Sequence, residues 1–203
     1  MQTGHRNLIA IAGCSAGLLF ASFDNAAQEA PAAAPQYAEG NALILPVDYR
    51  SWPFLGAGLG MTYGEEGGTL RNEENPRFTH AFVNPPAYSH FMETGTWPDG
   101  SVFILEFRGS TSEGSINTDG FFATELAFLE AEVKDSRFAD GWAFFSFGPG
   151  NSLAPAAAPL SEEEAAPCVQ CHSEHAAVER TFVQFYPTLL DVAREKGTLK
   201  PGH

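Results

Sequence analysis

The stretch Trp97-Pro98-Asp99-Gly100-Ser101-Val102-Phe103-Ile104-Leu105-Glu106-Phe107-Arg108 decides how the fold is read. Trp97-Pro98-Asp99-Gly100 is a turn, because proline presets φ at its start and glycine accepts the backbone angles that close it. From Ser101 to Arg108 the chain alternates as a strand, with Phe103, Leu105 and Phe107 on one face. Moving outward, Arg77 to Val83 alternates too. Phe78, His80 and Phe82 share one face, Thr79, Ala81 and Val83 the other, and Asn84-Pro85-Pro86 stops the run. Gly141 to Phe147 is a further strand, ended by Gly148-Pro149-Gly150. Phe121 to Val133 admits two readings. Its glutamates and alanines suit a helix, whereas Phe121-Phe122 and the flanking turns suit a long strand. With 17 Phe, 20 Gly and 14 Pro, the composition is unlike that of a helical bundle.

Loops and short helices fill the remainder. Asp48 caps a short helix containing Tyr49, Arg50 and Trp52. Gly56 to Gly68 and Gly109 to Gly120 read as loops, Ala87 to Glu93 as a helix, and Lys134 to Asp140 as a turn. Asn151 to Pro159 is an Ala/Pro linker. Ser161 and Glu164 form a capping box for one helical turn, which Pro167 ends. Val178, Phe182, Phe185 and Leu189 fall at helical spacing. Pro187 then opens a helix that runs to Lys196 and stops at Gly197.

The chemistry is concentrated in Cys168-Val169-Gln170-Cys171-His172. C-x-x-C-H is the signature of covalent c-type haem attachment. Two thiols three residues apart add to the two vinyl groups of one porphyrin, and the next histidine falls under the iron as axial ligand. The competing readings are a zinc knuckle with His175, a thioredoxin-like redox pair and a disulfide. A structural zinc site wants four ligands, and a redox pair wants a preceding strand that this segment lacks.

Residues 1–27 read as a cleaved secretory signal, with His5 and Arg6 ahead of the apolar run Leu8–Phe20 and small residues at Ala26-Ala27. Export to the periplasm is the expectation. The variant reading is lipidation of Cys14 within Ile11-Ala12-Gly13-Cys14. Residues 28–40 form an expected mobile leader, and 41–203 the haem domain. There are 11 basic and 25 acidic residues, giving a net charge of −14. That excludes nucleic-acid binding by counterion release and suits a basic redox partner.

The ordered set Tyr49-Arg50-x-Trp52, Val83-Asn84-Pro85, Trp97-Pro98-Asp99-Gly100-Ser101, Val133-Lys134-Asp135, Gly141-Trp142-Ala143-Phe144, Cys168-x-x-Cys171-His172 and Phe182-Val183-x-x-Tyr186-Pro187 resembles the cytochrome P-460 / cytochrome c′-beta family. The resemblance implies a mainly antiparallel β (α+β) fold: a single curved sheet with flanking helices and the haem motif on a C-terminal helical segment. It implies one covalently attached haem c, ligated by His172 with an open position opposite, and a possible homodimer. It further implies small nitrogen ligands, either nitric oxide bound in an apolar pocket or hydroxylamine oxidised by the enzyme branch. A six-coordinate electron carrier, closed by His80, His90, Met61 or Met92, is the third possibility.

Phe78, Phe82, Phe103, Leu105 and Phe107 are the distal-pocket candidates. Glu130 and Glu132 are the candidate catalytic residues, standing where the family's enzymes place a distal carboxylate; a solvated strand face is the plain alternative. The resembling enzymes cross-link a lysine to their haem from the strand after Pro-Asp-Gly. Ser101–Arg108 carries no lysine, with Leu105 or Glu106 at the matching position.

Overall fold

A computed structural model describes Met1, residues 34–62 and residues 75–203. The expected signal segment, with its variant site at Cys14, lies outside the described residues, as do 28–33 of the leader and 63–68 of the glycine loop. The fold is α+β. Strands β2 (Phe54–Leu59), β3 (Phe78–Val83), β4 (Ser101–Thr111), β5 (Phe122–Lys134) and β6 (Trp142–Pro149) form one open antiparallel meander in chain order. A second, two-stranded sheet joins β1 (Leu43–Ile44) to β7 (Ala156–Ala157), so a small sheet accompanies the single one expected.

Register explains the central strands. Val83, Phe103, Glu132 and Phe144 stand side by side, and so do Phe82, Ile104, Ala131 and Phe145. Paired residues share a face and neighbours along a strand alternate, so the two rows point in opposite directions. Residues 122–134 are a strand because β4 and β6 flank them on both sides, while Leu129, Ala131 and Val133 enter one core together. β4 runs on to Thr111 because its partner supplies Ala123 and Phe122 opposite Ser110 and Thr111, shortening the expected loop. Gly56–Leu59, expected as loop, pairs with β3 instead, after a bulge between Phe54 and Gly56.

One core lies on the face of Val102, Ile104, Leu129, Val133, Phe145 and Phe147, covered by Leu43, Tyr49, Trp52 and Ala157. Each buried valine, leucine, isoleucine or phenylalanine there contributes about 1.5–3 kcal/mol. Residues 34–40, expected as the end of a mobile leader, are fastened to this side. Tyr37 bridges to Leu43, and its hydroxyl donates to Asp135. The second core, on the other face, packs Phe91, Trp97, Val178, Val183, Leu189 and Ala193. It is built by helices α1 (Pro85–Thr94) and α3 (Pro187–Lys196). Both carry proline in the first turn and end on a glycine with positive φ, Gly95 and Gly197.

Two local expectations are overturned. Helix α2 (Glu162–His175) continues through Pro167. Proline removes a bond to the carbonyl of Glu163, but Glu163 and Pro167 are both exposed, so water can meet that carbonyl. Val178 and Phe182 are not on a helix. Val178 pairs with Thr181 across a tight turn, and only Val183–Phe185 forms a 3₁₀ turn before α3. The apolar spacing there reflects separate contacts: Val178 and Leu189 enter the second core, whereas Phe185 is exposed. Asp48 precedes the 3₁₀ turn Tyr49–Ser51 without a capping side-chain bond.

Candidate functional site

Helix α2 presents the C-x-x-C-H residues. Its start is a capping box, with Ser161 Oγ accepting from Glu164 N and Glu164 Oε2 accepting from Ser161 N at 2.9 Å. Glu162, Glu163 and Glu164 complement the positive end of the helix. Cys168, Cys171 and His172 stand at i, i+3 and i+4 and share one face. Both thiols are free. Burial, with the Glu130 carboxylate next, raises the pKa of Cys168, and burial with Glu174 raises that of Cys171. A redox pair of the thioredoxin type needs the opposite shift.

His172 packs edge-on between Phe144 at 4.9 Å and Phe182 at 4.7 Å. Its Nδ1 lies 2.8 Å from the carbonyl oxygen of Arg180. A carbonyl only accepts, so Nδ1 carries the proton and Nε2 keeps its lone pair for a metal. Glu132 Oε1 stands 3.3 Å from the same nitrogen, but the N–H is directed at the carbonyl, and that buried oxygen has no hydrogen-bond partner. Burial opposes charge on the imidazole; the Glu132 carboxylate outweighs it and draws the ring's pKa upward. Burial pushes Glu130 and Glu132 up in turn, only partly countered by His172. Among the described residues no group of three or more His, Cys, Asp or Glu is arranged to hold a metal ion, so the zinc knuckle with His175 is not formed. His175 is exposed beside Glu174.

The register sorts the distal candidates. Phe103, Leu105 and Phe107 share the face of Glu130 and Glu132. Phe107 stacks on Phe128 at 4.2 Å, and Phe103 meets Trp97 edge-on at 4.7 Å. Phe78 and Phe82 face the other way, opposite Arg108 and Ile104, and are not brought to the site. His80 goes with them and lies 3.5 Å from Glu106. Met92 packs on the second core. Met61 lies over Gly58, where an added Cβ would collide with its sulfur. Two contributors escaped sequence reasoning. Phe128 was accessible through its alternation with Glu130; the Arg180 carbonyl leaves no mark, since every residue has one.

The alternation along β4 is uneven. Val102, Ile104 and Glu106 are buried, but Phe103, Leu105 and Phe107 are only half-buried, as are Phe128 and Glu130. A row of half-covered apolar side chains runs along the face that holds Glu132, the buried neighbour of His172. The model of the family described as Cytochrome P460 matches residues 46–183. The chain belongs to the cytochrome P460 family. No curated protein matches it.

Membership implies a haem cofactor, and the residues fit one. Two free thiols and a histidine with bare Nε2 share a helix face, and the half-covered apolar row suits a flat apolar ring. Lys134, the nearest lysine in sequence to the candidate carboxylates, is engaged elsewhere: its Nζ donates to the Trp97 carbonyl at 2.7 Å and pairs with Glu179.

Proposed function

We propose that this cytochrome P460 protein is an exported c-type cytochrome that carries one covalent haem and binds a small nitrogen ligand. Cys168 and Cys171 hold the ring through thioethers, and His172 is the axial ligand. The observation that carries the reading is the Nδ1–H of His172 donating to the Arg180 carbonyl, which leaves Nε2 as the free donor beside the two thiols. When bound, the haem supplies an iron able to bind and exchange electrons with small ligands. The chain's own part is to orient the histidine through Arg180 O and Glu132 at its Nδ1, and to enclose the ring against Phe103, Leu105, Phe107 and Phe128.

An apolar wall with few hydrogen-bond donors favours an uncharged diatomic such as nitric oxide over a polar amine. Hydroxylamine oxidation is the second reading. Its candidate proton acceptor is Glu130, opposite Leu105 on the same sheet face, because Glu132 lies at Nδ1, on the side of His172 away from the iron; it is disfavoured by the lysine-free strand β4. A redox partner would be basic, to match a net charge of −14. Export rests on residues 1–27, with lipidation at Cys14 as the variant; the mass of the native N-terminus separates them.

The test is an optical spectrum of the purified protein, with acid–acetone extraction. Haem should stay with the denatured chain, the ferrous form should be high-spin, and nitric oxide should bind. Extractable haem would sink the covalent assignment. A low-spin ferrous spectrum would mean a closed sixth position, with Met61 the first ligand to examine. Brisk hydroxylamine turnover abolished by Glu130→Ala would establish the enzyme reading.

A further inference from the structure

We propose that Lys134, Glu179 and Trp97 form a clamp that positions the Arg180 carbonyl, and through it the ring of His172, so that residues remote from the haem tune its axial ligand. The proposal rests on the assignment of His172 to the iron.

Residues 178–181 make a two-residue turn. Val178 N donates to Thr181 O at 3.3 Å and Thr181 N to Val178 O at 2.8 Å, with Glu179 and Arg180 at the corner. Glu179 adopts φ +51°, a left-handed conformation that glycine or asparagine enters more easily. Its carboxylate explains its presence. Oε1 accepts from Trp97 N at 3.0 Å, and Oε2 meets Lys134 Nζ. Lys134 Nζ also donates to the Trp97 carbonyl and lies 5.7 Å from the centre of the Trp142 ring. The other side of the turn is tied by the Trp97 indole, whose Nε1 donates to Thr181 Oγ1 at 2.7 Å; the Thr181 hydroxyl donates on to Val178 O at 2.9 Å.

Both legs of the turn are therefore bolted to Trp97 and to the end of β5. Trp97 itself stacks on Phe91 at 4.1 Å in the second core. Arg180 O inherits that rigidity. A fixed acceptor at Nδ1–H makes a histidine a stronger donor and favours ferric iron. A loosened turn would let the carbonyl swing away and weaken that preference.

The test compares wild-type holoprotein with Lys134→Met, Glu179→Gln and Glu179→Gly. It records the ferrous iron–histidine stretching frequency and the reduction potential. Positioning predicts a lower frequency and a higher potential in all three, by roughly a tenfold loss of ferric preference, or about 59 mV for one electron. A direct field effect would instead move Lys134→Met down and the Glu179 variants up, because the deleted charges have opposite signs; that pattern overturns the proposal. Unchanged frequency and potential, with only a lower unfolding midpoint, would overturn it as well by showing a merely structural clamp. A fourth variant, Thr181→Val, removes the acceptor of the Trp97 indole without deleting a charge, so it decides the matter if Lys134→Met fails to fold: positioning lowers its frequency and raises its potential, whereas a field effect leaves both unchanged. A wild-type protein without an iron–histidine mode, or a mode that survives His172→Gly, would refute the ligand assignment itself, a failure visible before any clamp variant is read.

Discussion

Two buried glutamates on opposite faces of the sheet have opposite surroundings. Glu106 on β4 is 2 % exposed and accepts from the Tyr49 hydroxyl, from Arg50 Nε at 2.8 Å and from Arg108 Nη1 at 2.9 Å. Burial alone would raise its pKa, but Tyr49 and the two guanidiniums outweigh it, and the carboxyl sits below its ordinary 4.5. Glu132 on β5 is 9 % exposed and keeps one oxygen without a partner; burial prevails and its pKa rises. Equal depth therefore says little about a carboxylate's role. A buried charge with a donor on each oxygen fixes structure, whereas one with an oxygen left bare retains capacity for a proton or a ligand.

The contrast can be broken most forcefully at Glu106. Glu106→Ala leaves Tyr49, Arg50 and Arg108 without their acceptor, and denaturant unfolding should show a loss of about 3–5 kcal/mol. Acid supplies the same test without truncation. A carboxyl whose folded pKa is depressed stabilises fully above 4.5, and that stabilisation fades as pH falls through the lower folded value. Wild type should therefore lose stability below pH 4.5 more steeply than Glu106→Gln, and parallel acid limbs would refute the assignment. Glu132→Gln sharpens the other side. Removing a poorly solvated charge should alter stability by no more than about 1 kcal/mol, with no net loss. A loss as large as that of Glu106→Ala would erase the distinction. The smallest effect belongs to His175→Ala, a change at an exposed side chain. Stability should stay within about ±0.5 kcal/mol, and the visible spectrum should not change.

Sequence reading reached the sheet because period-two patterns are local. The strands around Phe78–Val83 and Ser101–Arg108, and the helix from Pro187 to Gly197, all carry their own punctuation. The motif 168–172 was equally legible, since thiol and imidazole spacing is written in the chain. What stayed hidden depends on register between distant segments. Phe78 and Phe107 look alike along their own strands, yet pairing of Phe78 with Arg108 turns them to opposite faces. The helix through Pro167 was missed because its tolerance depends on the freed carbonyl facing solvent. The turn at 178–181 was missed because Lys134 and Trp97, far away in sequence, hold it.

An open meander has two unpaired flanks, and the chain guards them unequally against adding a foreign strand. Beyond β6, Pro159 pairs with Phe145, and backbone bonds run from Ala154 to Phe147 and from Leu160 to Phe144, so that flank is sealed. Among the described residues β2 has no such cover in its own sheet, and it exposes Phe54 and Leu59. The bulge after Phe54 interrupts its line, and the Tyr186 ring lies over Gly56, 3.1 Å from where a Cβ would stand. Among the described residues of this edge, Ala57 to Leu59 remains as an uninterrupted template. That is shorter than an ordinary strand, so the bulge and the tyrosine act as safeguards against edge-to-edge aggregation.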